Sequence, residues 1–308
     1  MQQGVSVKAL KRPASKIPTF VDQELLNRVD WIEGDILDIT SLEEAMQGID
    51  TVIHSAAIVS FSKKERRHMY QVNVEGTANV VNMALQAGVR RLIHISSVAA
   101  IGRKKDSSTV DETAKWEDSK NNTHYAISKF RAELEVWRGF AEGLEGVVLN
   151  PATILGYGNW NDGSCAIFKN VYKEFGWYTS GINGFADVED VAKATAMLLN
   201  SSISEKRFIV CNANWRFRQL LDTMADAFGK KRPHRHASPF LSGLAWRMEW
   251  LKSLITRSKP LVTRESAKVA NSETLFDGSR LPEALPGFQY RPLEETIQNA
   301  CSRYKLLT

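Results

Sequence analysis

Cysteine is scarce in this chain: Cys165, Cys211 and Cys301 are its three among 308 residues, and no two form a CxxC. That spacing excludes a disulfide framework or a thiolate zinc site and fits a reducing compartment. No run of 18 residues is free of charge, and the first residues contain no apolar signal segment. Neither a membrane span nor a secretory leader is therefore expected, and the protein reads as cytoplasmic. The charge excess is small, at +5, whereas nucleic-acid binding would call for a concentrated basic face. Internal repeats and low-complexity tracts are absent. Glycine is missing where phosphate binding would want it, since neither GxGxxG nor GxxGxxG occurs anywhere.

What is present is an alternation of short apolar runs with helical stretches. "VSVKAL" (Val5–Leu10), "VDWIEGDI" (Val29–Ile36), "DTVIHSAA" (Asp50–Ala57), "RLIHISS" (Arg91–Ser97) and "GVVLNP" (Gly146–Pro151) are β-branched, and several are apolar on both faces. Buried parallel strands have that pattern. Helical patterns lie between them at Ser41–Gln47, at about Lys64–Gln86 and at Tyr125–Ala141, the first with a capping box of Ser41 and Glu44. This alternation predicts an α/β fold, a doubly wound parallel sheet with helices on both faces. After Pro151 come a glycine-rich loop, "ILGYGNWNDGSC", a helix at Val188–Leu199 capped by Asp187, and a strand, "RFIVCN". From Trp215 onward the chain is mostly helical.

The start of the Tyr125–Ala141 helix carries an unusual pair. Tyr125 and Lys129 are four positions apart in "HYAISKFRAELEVW", so they share one helix face. A phenol becomes a usable acid or base near neutrality only beside a fixed positive charge. Ser97 ends an apolar strand, and the small residues Ser55, Ala56 and Ala57 end another, leaving room for a ligand at the sheet edge. Serine, tyrosine and lysine so placed make a hydride-transfer site in which tyrosine exchanges the proton.

Six segments, in order, then carry a resemblance: "GDILDITSLEEAMQGIDTVIHSAA", "VNVEGTANVV", "LIHISSVAAIG", "YAISK", "LNPATILGYGN" and "FADVEDVA". Together they make the chain similar to the extended short-chain dehydrogenase/reductase family, also called the NAD-dependent epimerase/dehydratase family. Within it the chain resembles the dihydroflavonol 4-reductase and 3β-hydroxysteroid dehydrogenase branch. The resemblance implies a Rossmann-like dinucleotide-binding domain over 1–155 and 185–212, and a smaller, mostly helical substrate domain over 156–184 and 213–308. It places Ser97, Tyr125 and Lys129 on the catalytic triad and Asn73 on the asparagine counted as a fourth member. The asparagine's alternative role is to support a backbone kink. For the cofactor it implies Asp35 and Ile36 beside adenine, Ser55, Ala56 and Ala57 along the dinucleotide groove, and Pro151 and Thr153 near the nicotinamide, with Tyr125 and Lys129 also in contact. Arg12 follows the first strand where an NAD enzyme would place an acid, so NADP is favoured over NAD. Homodimerisation through the helices holding Asn73 and Tyr125 is a further implication.

The first strand of that family and its glycine loop have no counterpart here. Their expected place is upstream of Met1, and the explanations are an N-terminally truncated reading frame or a protein that has become a silent scaffold. Without that strand, Val5–Leu10 should face a gap or pair directly with Asp50–His54. The reaction expected is hydride transfer between NADP(H) and the carbonyl or secondary alcohol of a small, fairly apolar molecule. Nucleotide-sugar epimerisation is the alternative, against which stand Ile101 before Gly102 and Asn150 before Pro151. Val98 and Ala99 after Ser97 argue against dehydration. "KKRPHRH" (Lys230–His236) reads as a solvated loop after Gly229. Pro239–Lys259, with Trp246 and Trp250, resembles the family's pocket cover, and interfacial membrane contact is the alternative. His54 and His94 read as packed rings, and no metal site is expected.

Overall fold

The computed structural model describes residues 5–18, 21–102, 109–119, 122–256 and 263–306, with the side chains of 245 and 250–256, Trp250 among them, outside the described residues. β1 (Lys8–Lys11) runs parallel to β2 (Asp30–Glu33). β3 (Thr51–His54), β4 (Arg91–Ile95), β5 (Glu145–Pro151) and β6 (Lys206–Val210) form a separate all-parallel sheet in the order β6-β5-β4-β3. Alternation along each strand sends successive side chains to opposite faces. Leu92 and Val148 enter one layer with Val80, Ala84, Val136 and Phe140. Ile93, Val147, Leu149 and Phe208 enter the other with Val191, Ala194 and Leu198. The first layer comes from helices α1 (Ile39–Met46), α2 (Gly76–Gln86) and α3 (His124–Ala141), the second from α4 (Val188–Leu199). Each fully buried Leu, Ile or Val contributes about 1.5–3 kcal/mol against exposure. The architecture is the doubly wound, Rossmann-like α/β fold expected.

Three boundaries differ from the pattern, each for a local reason. Helix α1 begins at Ile39, because the Asp38 carboxylate accepts from Thr40 N at 3.1 Å and caps it. Ser41, expected as the cap, instead bonds the Asp35 backbone, donating to its carbonyl at 3.0 Å and accepting its N–H at 3.1 Å. The Asp50–Ala57 run stops pairing at His54, which leaves Ser55, Ala56 and Ala57 exposed past the strand end. The long helix of Lys64–Gln86 is interrupted: Arg66–Tyr70 leads into a π turn, Gln71–Glu75, before α2 resumes. A π turn inserts one residue per turn and re-aims the side chains it carries.

On the β1 side the sheet is open. Among the described residues no ladder joins β1 to β3, so of the two arrangements expected there the gap is the one found. Side chains span it: Lys8 Nζ donates to Gln47 O at 3.1 Å at the end of α1, and Leu10 and Val52 both pack on the α1–α2 layer.

A second centre of packing follows the main sheet. Thr153–Leu155, Ile182–Asp187 and Ala213–Arg216 form a small sheet, followed by α5 (Phe217–Phe228), α6 (Pro239–Thr256), α7 (Arg264–Ala270) and α8 (Leu293–Lys305). Phe168, Phe185, Leu220, Met224, Ile297 and Tyr304 bury one another there. Asp187, the expected cap, accepts from Glu189 N at the start of α4 and from Thr296 Oγ1 at 2.7 Å in α8, and it pairs with Arg291 at 3.1 Å. One buried carboxylate therefore clasps two helices. Gly229 ends α5 at φ +68°, as the glycine reading of that loop required. Among the described residues no helix is long and apolar enough to cross a membrane.

Candidate functional site

At the carboxyl edge of the sheet the chain gathers three of the residues singled out above. Ser97 lies just past β4 in extended backbone, its hydroxyl accepting from Ala99 N at 3.1 Å to cap a short turn, Val98–Ala100. Thr123 caps α3 by accepting from Ala126 N at 3.0 Å, which places Tyr125 and Lys129 in its first turns. Burial pushes the Tyr125 phenol above its ordinary pKa, and the Ser97 hydroxyl, interacting with it, pulls the other way. Phe61 stands edge-on to the Tyr125 ring at 6.0 Å. Lys129 is buried, and its Nζ donates to Ile95 O at 3.1 Å, at the end of β4. Burial lowers this ammonium to about 8, with the Glu133 charge opposing the shift.

Asn73 sits in the π turn and is also buried. Its Oδ1 accepts from Ile58 N at 2.7 Å, while Nδ2 donates to Ile58 O at 2.9 Å and to Ser128 Oγ at 3.0 Å. The side chain thus ties the loop after β3 to the helix of Tyr125 and Lys129. Pro151 closes β5, and Thr153 Oγ1 accepts from Asn183 Nδ2 at 2.8 Å. Asp35 and Ile36 follow β2, with Ile36 against Gly76 at the start of α2, and Arg12 follows β1. Asp35 Oδ1 accepts from Leu37 N at 3.0 Å, Ile36 O accepts from Asn79 Nδ2 at 3.1 Å, and Arg12 is exposed. Lys11 is engaged by Glu33 at 2.6 Å.

Tested against a dinucleotide, these residues fit its nicotinamide and ribose end: two hydroxyls and a buried ammonium stand beside small, exposed Ser55, Ala56 and Ala57. The described residues supply no glycine cradle for a pyrophosphate. Among them, no three His, Cys, Asp or Glu side chains are grouped to hold a metal ion.

Sequence reasoning missed the group beneath the site. Glu133, one turn after Lys129, is 1 % exposed. Its carboxylate accepts from Ser96 Oγ at 2.8 Å, Asn150 Nδ2 at 2.8 Å and Trp137 Nε1 at 3.2 Å, and it pairs with Arg207 at 2.5 Å. The same Asn150 amide donates to Ser97 O at 3.0 Å. A signal was available: Ala132 and Val136 mark the apolar face of α3, and Glu133 is a charge lying within it.

His54 and His94, opposite each other in β3 and β4, lie with ring centroids 5.1 Å apart and planes tilted by 31°, fully inside. Burial holds His54 down to about 3 and His94 well below its ordinary value, and the nearby Lys129 charge adds to both. The unfolded chain takes up those protons below about 6.5 while the native state refuses them, so acid removes stability. Each ring is expected to lower the unfolding free energy by about 1 kcal/mol between roughly pH 6.5 and 5.5. Urea melts across that range should show it, with a shallower slope in His94→Leu; an identical slope in the variant would assign the acid sensitivity elsewhere.

Comparison with known proteins places these observations. Residues 1–211 match the family described as "NAD dependent epimerase/dehydratase family". The chain is 27% identical over 97% of its length to a dihydroflavonol 4-reductase-like protein of Synechocystis sp., covering 88% of that protein. It is 26% identical to sterol demethylase protein B of Methylococcus capsulatus, over 89% of this chain and 86% of the relative. The crystal structure of gox2253 superposes with a TM-score of 0.81 at 26% identity, over 99% of this chain and 92% of that one. A parallel Rossmann-like sheet, a tyrosine–lysine helix opposite a serine strand end and a match through two thirds of the sequence agree, and the chain belongs to the NAD-dependent epimerase/dehydratase family.

Proposed function

We propose that this NAD(P)-dependent oxidoreductase uses NADP(H) to interconvert the carbonyl and secondary alcohol of a small, fairly apolar substrate. The observation that carries the reading is the meeting of Ser97, Tyr125 and Lys129 at one sheet edge. The cofactor supplies or accepts the hydride when bound. Tyr125 gives the substrate oxygen its proton in reduction and takes it back in oxidation, Ser97 orients that oxygen, and Lys129 provides the positive charge that makes the phenol competent. Lys129 would also hold the ribose, exchanging the Ile95 carbonyl for sugar hydroxyls. Asn73 keeps the Ile58 loop and α3 in register.

An apolar substrate is supported by the kinship with proteins named for dihydroflavonol and sterol chemistry. Nucleotide-sugar epimerisation is disfavoured by Asn150, which donates its amide hydrogens inward to Glu133 and Ser97 and turns no charge toward a diphosphate. Arg12, exposed at the end of β1, supports NADP over NAD. Fluorescence titration of the 308-residue chain is expected to give saturable binding of NADPH at least about tenfold tighter than NADH, the worth of one charge-assisted hydrogen bond. Arg12→Glu should erase the difference. Equal affinities in the wild type would remove the NADP assignment, and no binding of either nucleotide would favour a silent scaffold.

A further inference from the structure

The first half of helix α6 leaves an apolar arc uncovered. At about 100° per residue, Phe240, Leu241, Leu244 and Met248 fall within an arc of roughly 100°. That arc faces outward: Phe240 is 80%, Met248 64% and Leu244 48% exposed. The opposite side holds the half-buried Trp246 and a serine. Ser242 is buried and accepts from Asn271 Nδ2 at 3.2 Å, past the end of α7. Leaving three large apolar side chains of one arc in water opposes the hydrophobic effect. A pocket cover, the role expected from resemblance, would direct the arc inward.

The surroundings identify what meets the arc. From Lys230 to Met248 the charged residues are Lys230, Lys231, Arg232, Arg235 and Arg247; Arg232 is paired with Asp226 at 2.6 Å, and Glu249 follows in α6. Directly before the helix, Arg235–His236 pairs in parallel with Trp177–Tyr178, and the Arg235 guanidinium lies over the Trp177 ring at 5.7 Å. Trp177 and its neighbour Phe175 are themselves exposed. Arg247, at the margin of the arc, stacks on Trp246 at 4.7 Å. An apolar stripe edged by cations and exposed aromatic rings matches a bilayer interface, where acyl chains, anionic headgroups and the boundary between them lie within one helix diameter. We propose that α6 and the preceding Lys230–His236 segment dock on the surface of an anionic lipid bilayer, the helix lying in the membrane plane with Phe240, Leu244 and Met248 inserted.

Vesicle flotation with the full chain tests this. Binding to mixed phosphatidylglycerol–phosphatidylcholine vesicles should exceed binding to phosphatidylcholine alone by at least about tenfold, since each cation near such a surface adds roughly fivefold. It should weaken as salt shortens the screening length. The double variant Phe240→Glu, Met248→Glu changes two exposed side chains and should reduce binding by about tenfold or more. Lys230→Glu with Lys231→Glu should remove the preference for anionic lipid. Absence of flotation, or unchanged flotation of the Phe240/Met248 variant, overturns the proposal. So does a concentration-dependent dimer of the wild type that the same variant dissociates, because a second copy would then cover the arc.

Discussion

Tyr125→Phe is expected to lower kcat by about 10²- to 10⁴-fold, the range of a lost general acid–base group. Removing one oxygen leaves the ring, its edge contact with Phe61 and the cap of α3 in place. Nucleotide affinity should therefore stay within about twofold, a difference of about 0.4 kcal/mol. The pairing of outcomes matters more than either alone. A collapse of both turnover and binding would indicate a damaged groove, and turnover within a few-fold of wild type would exclude the phenol from proton transfer. The measurement is nicotinamide absorbance in an active preparation, with fluorescence titration of the same variant alongside.

Glu133→Ala is expected to cost about 3–5 kcal/mol of unfolding free energy, as removal of one member of a buried pair does. The carboxylate is the common acceptor for Ser96, Asn150 and Trp137 and the counter-charge for Arg207. With it gone, all three donors lose this acceptor, and the end of β4 keeps the Lys129 bond to α3 but loses the one through Ser96. Glu133→Gln keeps the shape and some of the hydrogen bonds, so it should cost clearly less. Urea melts of the two variants decide the matter. A loss below about 1 kcal/mol in the alanine variant would mean that water replaces the carboxylate and that the network is not what fixes the strand end.

Tyr125, Lys129 and Ser97 could be found in the sequence because each is tied to a strand or helix whose apolar period is strong. Helix α4 and its Asp187 cap were legible to the residue for the same reason. What escaped was set by contacts distant in sequence. Glu133 meets Asn150 and Arg207 across turns of chain that no local pattern links. The π turn at Gln71–Glu75 has ordinary helical composition, and it is marked only by Asn73 reaching Ile58 and Ser128. Ser41 had the capping residue's chemistry, yet Asp38 competed for the same helix start and left the serine to the Asp35 backbone. The outward arc of α6 was likewise invisible: periodicity reports that a helix has an apolar side and is silent on which way that side turns.

The clasp made by Asp187 has a consequence for the order in which the molecule assembles. Its partners Arg291 and Thr296 follow it by more than a hundred residues, and Ile297 and Tyr304 complete the packing around Phe168 and Phe185. Contacts so far apart in the chain are entropically late. On the ribosome, the main sheet can gather its four parallel strands once Val210 has emerged, whereas the second core has no roof until α8 is made. The residues that close this core are therefore made after the ones they cover, and until then Phe168, Phe185 and Met224 wait with one side bare.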